Sequence, residues 1–206
     1  MKNIVLIILL TFFSCSLYQD NDEPDIFFQF SDFEILELGK SFSDMIISGV
    51  QSAIYLSDYN NNSLLKINTQ NSLLVEKHAI VGSHPIALDI NSDESIIAIA
   101  HEGESSILIL NSQDLEILNS FSVSLMNMND LAFINDTTLI ISSKTDPSCI
   151  TLNLISGEET TQSVLNGELV MDREGQILYV ATSSSLKKYN WDGLRLNQDP
   201  NISDPY

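Results

Sequence analysis

Gly82-Ser83-His84-Pro85-Ile86-Ala87-Leu88-Asp89-Ile90-Asn91-Ser92-Asp93-Glu94-Ser95-Ile96-Ile97-Ala98-Ile99-Ala100 reads as a loop, a strand, a polar turn and a second strand. Each apolar run is short and bounded by Asn, Asp, Ser or Pro, the residues that build turns. A third run follows, Ile107-Leu108-Ile109-Leu110-Asn111, and then another polar turn, Ser112-Gln113-Asp114.

This order recurs on both sides. The third run matches Leu64-Leu65-Lys66-Ile67-Asn68, Ile150-Thr151-Leu152-Asn153-Leu154 and Leu186-Lys187-Lys188-Tyr189-Asn190, with starts 43, 43 and 36 residues apart. The second run matches Ile54-Tyr55-Leu56-Ser57-Asp58, Leu139-Ile140-Ile141-Ser142-Ser143 and Leu178-Tyr179-Val180-Ala181-Thr182. The first matches Asp44-Met45-Ile46-Ile47, Asp130-Leu131-Ala132-Phe133-Ile134 and Glu168-Leu169-Val170-Met171-Asp172. Leu73-Leu74-Val75-Glu76 and Leu115-Glu116-Ile117-Leu118 supply a fourth, outer strand. Four short strands at a period of ~40–45 residues are the signature of a β-propeller blade. No stretch sustains a helical period, so the fold class is all-β, a β-propeller with four visible four-stranded blades. The fully apolar runs belong inside, covered on both faces by neighbouring blades.

The 82–100 stretch resembles the YVTN-type repeat of lactonase-like propellers: G-x-x-P, an inner strand, a turn, then an L-Y-V-A-N-like strand. Met171-Asp172-Arg173-Glu174-Gly175-Gln176-Ile177-Leu178-Tyr179-Val180-Ala181-Thr182 matches its second half. Asn91-Ser92-Asp93-Glu94 departs from it, lacking the Pro and Gly of the usual turn, and the 126–143 copy has no G-x-x-P. The resemblance implies a ring of seven blades, of which four are present. Either the ring closes with four, or the chain is part of a longer propeller; the resemblance favours the second.

Upstream, Lys2 precedes the apolar run Ile4–Leu10, and Ser14 precedes Cys15. This is the pattern of a secretory signal, too short to span a membrane. Thr11-Phe12-Phe13-Ser14-Cys15 resembles a bacterial lipobox, which implies lipid on Cys15, with Phe12 and Phe13 departing from the usual small or aliphatic residues. Residues 1–14 are then a lipoprotein signal peptide, 15–40 an acidic tether and first segment, 41–196 the propeller repeats and 197–206 a loop-like tail. The acidic residues after Cys15 resemble the surface-export signals of Bacteroidetes lipoproteins, which places the protein on the outer membrane, or in the secreted fraction without lipid. Asp20, Asp22 and Asp25 lack the Gly and Glu of an EF-hand calcium loop. Cys149 opens a strand and is expected to be a buried, unpaired thiol.

Twenty-eight acidic against nine basic residues give a net charge of −19, which disfavours nucleic acid as a partner. No Gly-x-Ser-x-Gly elbow or phosphate-cradling glycine loop is present. His78, His84 and His101 show no metal-ligand spacing, and neither a metal nor a cofactor is expected. Asp58, His101, Ser143 and Thr182 occupy equivalent positions at the ends of second strands, with Asn60 and Glu102 close by. In a closed propeller they share one rim, and the resemblance implies that ligands sit on such a rim. The function expected is a lipid-anchored envelope module that binds a protein, peptide or glycan. The alternative is a lactonase-like hydrolase or quinoprotein-like dehydrogenase whose catalytic residues lie partly outside this chain.

Overall fold

The computed structural model describes residues 7–8, 34–35, 38, 41–70, 74–174 and 176–199. Cys15, the acidic stretch with Asp20, Asp22 and Asp25, and the tail from 200 onward lie outside them. A short antiparallel pair, β1 (Ile7–Ile8) and β2 (Glu34–Ile35), precedes the repeats. Four sheets follow, each a four-stranded antiparallel meander. Blade 1 holds β3 (Asp44–Ser48), β4 (Ala53–Asp58), β5 (Ser63–Asn68) and β6 (Leu74–Ile80). Blade 2 holds β7 (Pro85–Ile90), β8 (Ile96–His101), β9 (Ser106–Asn111) and β10 (Ile117–Ser122). Blade 3 holds β11 (Met128–Asn135), β12 (Thr138–Ser143), β13 (Cys149–Asn153) and β14 (Glu159–Gln162). Blade 4 holds β15 (Glu168–Asp172), β16 (Ile177–Ala181), β17 (Leu186–Trp191) and β18 (Leu196–Gln198). No helix occurs among the described residues. The architecture is a partial β-propeller.

Side-chain alternation divides each second strand between two cores. Ile97 and Ile99 face blade 1, packing with Tyr55, Leu64 and Leu88. Ala98 and Ala100 face blade 3, packing with Phe133, Leu139 and Ile141. Ile140 points the other way, into the core between blades 3 and 4 with Leu178, Val180 and Tyr189. With a core on each side, all six residues of β4 are buried, and so are five of six in β8 and in β12. That is why these strands read as unbroken apolar runs, each large side chain contributing about 1.5–3 kcal/mol of burial. Strand β10 is exposed along nearly its whole length.

Two outer strands differ from their sequence reading. The one expected around 115–118 starts at Ile117, because Leu115 turns the chain with φ +60° and inserts its side chain into the core. Blade 4 gains a fourth strand, β18, where the sequence reads as loop from 197 onward. The Asp192-Gly193 turn reverses the chain, the Asp192 carboxylate accepts the N–H groups of Leu194 and Arg195, and Leu196 is buried in the blade 3–4 core.

Two glycines are dictated by close approach. Gly82 has φ +108°, and a Cβ there would lie 3.1 Å from Nε2 of His101. A Cβ on Gly167 would lie 2.3 Å from the Ala181 carbonyl oxygen. In the turn after β7, Glu94 takes the left-handed position at φ +59°. Its carboxylate accepts the Ser48 hydroxyl at 2.6 Å and the Val50 N–H at 2.7 Å, tying blade 2 to blade 1.

Candidate functional site

The innermost strands β3, β7, β11 and β15 stand side by side around a groove of about 540 Å³. Adjacent innermost strands belong to different sheets, so N–H groups facing the groove need partners other than a ladder. Aspartates supply them. One oxygen of Asp44 accepts Leu88 N–H at 2.6 Å, one of Asp89 accepts Phe133 N–H at 2.7 Å and one of Asp130 accepts Leu169 N–H at 2.6 Å. In each, the second oxygen accepts the N–H of the following residue, Met45, Ile90 or Leu131, at 2.7–2.8 Å. Each carboxylate thereby staples its blade to the next. Burial pushes the Asp130 carboxyl up to about 8, despite its two N–H donors, and Asp44 and Glu168 add like charge. Burial raises Asp44 as well, with Asp89 and Glu168 adding to it.

Arg173 closes one end of the groove. Reaching from blade 4 past blade 3, it donates to Asp89 at 2.6 Å, to the Ile90 carbonyl at 2.6 Å and to the Phe133 carbonyl at 3.2 Å. At the other end stand the loops that follow the second strands. There Glu102 of blade 2 accepts the Tyr59 hydroxyl of blade 1 at 2.5 Å and the Lys144 ammonium of blade 3 at 2.8 Å. The Tyr59 ring lies 4.5 Å from that of His84, tilted by 34°. Lys144 and Tyr59 hold the Glu102 carboxyl below its ordinary range, and the Glu102 carboxylate raises the Tyr59 phenol. Lys144 also lines the groove, which makes this chain of polar groups the mouth.

Of the rim residues read from sequence, Glu102 sits at the centre of this mouth. Asn60 is exposed in the adjoining turn. Asp58 is fully buried, and its carboxylate accepts the Asn61 N–H at 3.1 Å and the Asn61 side-chain amide at 2.8–2.9 Å. His101 is also fully buried, with Nε2 2.8 Å from the Val81 carbonyl and Nδ1 3.2 Å from that of Ser106. It locks blade 2 to its entry loop and does not face the groove. The Ser143 hydroxyl donates to the Met126 carbonyl at 2.7 Å and accepts the N–H groups of Thr145 and Asp146. Thr182 closes the matching turn in blade 4 through Ser184 and Ser185. These two belong to the turns that follow the second strands of blades 3 and 4, and neither lines the groove.

Sequence reading missed Tyr59, Lys144, Asp44, Asp89, Asp130 and Arg173. The aspartates left a signal, one in each of the first three innermost strands, inside otherwise apolar runs. Among the described residues no three His, Cys, Asp or Glu side chains gather as a metal ion requires. Cys149 is buried at the start of β13, 3.4 Å from the Leu165 carbonyl, and burial pushes its thiol up to about 12.

No family model matches this sequence, and no curated protein is detectably similar to it in sequence. Solved structures do share the fold. Hydrazine synthase from Kuenenia stuttgartiensis superposes with a TM-score of 0.63 at 12% identity, over 75% of this chain and 47% of that one. The C-terminal WD40 domain of Sif2 gives 0.60 at 14%, over 82% and 50%. A proposed 6-phosphogluconolactonase from Bacteroides fragilis gives 0.60 at 14%, over 86% and 56%. The class is therefore the β-propeller, and the chain spans about half the length of the propellers it matches.

Proposed function

We propose that this protein is a YVTN-type propeller of the bacterial cell envelope, anchored to the outer membrane by lipid on Cys15. It acts as a binding module, taking a protein, peptide or glycan ligand at the mouth of its axial groove. The observation that carries the binding reading is the mouth itself, where three consecutive blades contribute Tyr59, Glu102 and Lys144 to one connected polar surface. An aromatic ring, a carboxylate and an ammonium group held in register are what recognition of a polar ligand requires. The signal-like start, the lipobox-like Cys15 and the acidic stretch behind it support the anchor.

One observation favours an enzyme, the Asp130 carboxyl held protonated near neutral pH beside the groove. Both its oxygens, however, accept main-chain N–H groups, which commits it to the scaffold.

The test has two arms. Replacing Cys15 by Ala should move the protein from the membrane to the soluble fraction; retention in the membrane removes the anchor. Glycan and peptide arrays probed with the wild type and with Lys144→Ala and Glu102→Ala variants should show binding that both variants lose at unchanged melting temperature. Equal binding by all three places the ligand elsewhere.

A further inference from the structure

We infer that the mouth takes a neutral glycan, with Glu102 and Lys144 holding two vicinal hydroxyls and the Tyr59–His84 ring pair packing against a sugar ring. This rests on the reading of the mouth as the binding site and names the class of ligand that fits it. The charges there are already matched, since the Glu102 carboxylate has the Lys144 ammonium at 2.8 Å. A cationic ligand finds its place on Glu102 taken by Lys144. An anionic one meets Glu104 and Asp146, both exposed in the loops that follow β8 and β12, and a net charge of −19 behind them.

What the pair leaves open is hydrogen-bonding capacity of both kinds. An ammonium group has three donors, of which Lys144 places one on Glu102. A carboxylate accepts about four hydrogen bonds, and Glu102 takes one from Lys144 and one from the Tyr59 hydroxyl. Both side chains reach solvent, Glu102 30% and Lys144 40% exposed. A hydroxyl group both donates and accepts. Two hydroxyls on neighbouring carbons stand about as far apart as the bonded atoms of Glu102 and Lys144. One therefore donates to the carboxylate while the other accepts from the ammonium. A trans peptide group points its N–H and C=O in opposite directions and meets only one of the two.

The carbon face of a sugar ring needs an apolar surface beside those hydroxyls, and the ring pair supplies it. His84 is exposed, and its position is set by neighbouring groups. Its N–H donates to the Asn62 side-chain oxygen at 2.9 Å, its carbonyl accepts the Glu102 N–H at 2.9 Å, and its Nδ1 lies 3.0 Å from the Ser83 hydroxyl. Tyr59 is held at its hydroxyl by Glu102, the same carboxylate that takes the sugar. The platform and the polar pair are thus tied together before a ligand arrives, which lowers the ordering cost of binding. Asn60, exposed in the adjoining turn, adds an amide with a donor and an acceptor.

Isothermal titration of the full chain, held in a sugar-free detergent, with cellohexaose, mannohexaose, hexagalacturonate and hexalysine tests this. The two neutral sugars carry trans and cis vicinal diols between them. At least one should bind with a Kd of about 1 mM or tighter. Raising NaCl from about 0.05 to about 0.5 M should change that affinity by less than about twofold, because the ligand brings no charge to be screened. Lys144→Met should weaken binding about tenfold and His84→Ala roughly fivefold, while His84→Phe, which keeps a ring, retains most of it. Unchanged melting temperatures separate binding from folding, and Lys144→Met, at an exposed position, carries the test where a His84 variant unfolds. The sugar class is overturned if neither neutral sugar binds, if only the charged probes bind, or if the affinity for the neutral sugar falls steeply with salt. Neutral-sugar binding that Lys144→Met and His84→Ala both leave unchanged overturns the mouth as the site instead.

Discussion

Replacing Asp130 by Asn isolates the cost of stapling blades with a buried acid. In the folded protein this carboxyl titrates at about 8, against 3.8 for an ordinary Asp, chiefly because it is buried. The fold therefore holds the proton more tightly than the unfolded chain does. The stabilisation from that proton is fully present below pH 3.8 and is lost as pH rises through about 8. A tenfold change in proton affinity is worth about 1.4 kcal/mol, so the ceiling for this one group is on the order of 5 kcal/mol. Solvent reaching the groove lowers the realised value to a few kcal/mol. Asn keeps one acceptor oxygen for Leu131 or Leu169 and loses the other, which costs about 1–2 kcal/mol at any pH. Asp130→Asn should therefore be less stable than wild type at pH 5 and equal or more stable at pH 9. Urea denaturation of both proteins across this range reads the difference directly, and Asp44, present in both, largely cancels. Stability profiles that run parallel from pH 5 to 9 would refute the reasoning.

Three further outcomes follow from the geometry. Gly167→Ala should cost more than 2 kcal/mol in chemical denaturation, because its Cβ meets a main-chain carbonyl at 2.3 Å; Gly157→Ala, strained only by φ +74° in open space, should cost about 1 kcal/mol. His101→Ala should lower stability by about 2–4 kcal/mol, since it empties a fully buried site and leaves the Val81 carbonyl without its donor. Arg173→Met should cost about 1–3 kcal/mol and speed hydrogen exchange at Phe133, whose N–H shares the Asp89 oxygen that Arg173 holds.

The blade pattern was legible because its cause is local. A second strand with a core on each face must be apolar throughout, and Ile97–Ala100 and Leu139–Ile141 display that directly in the sequence. The mouth was legible only in part. Glu102 was found as the neighbour of the repeat position held by His101, but its partners Tyr59 and Lys144 lie 43 and 42 residues away. Only the stacking of consecutive blades brings three such loops together. His101 occupies a repeat position equivalent to rim residues, yet its ring turns inward. Gly82, whose missing Cβ makes room for the imidazole, was the available clue, and it reads equally well as an ordinary turn glycine.

The acidity of the chain has a structural share that composition alone conceals. A net charge of −19 suggests a solvated anionic surface. Part of that acidity instead works at blade boundaries, with Asp130 there as the neutral acid. Asp44, Asp89 and Asp130 take main-chain N–H groups of the next blade along the axis. Away from the axis, Glu94 takes Ser48 and Val50, Asp136 takes Ser92, and Glu159 takes Ser124. An antiparallel sheet satisfies its own interior ladder but offers nothing to a neighbour packed face to face, so a stack of such sheets needs acceptors that reach across. A carboxylate provides two oxygens and forms stronger hydrogen bonds than a neutral amide. The same choice accounts for Glu94 at the left-handed position of the Asn91–Glu94 turn. Glu94 accepts a left-handed backbone, and the contact it makes with blade 1 offsets that strain.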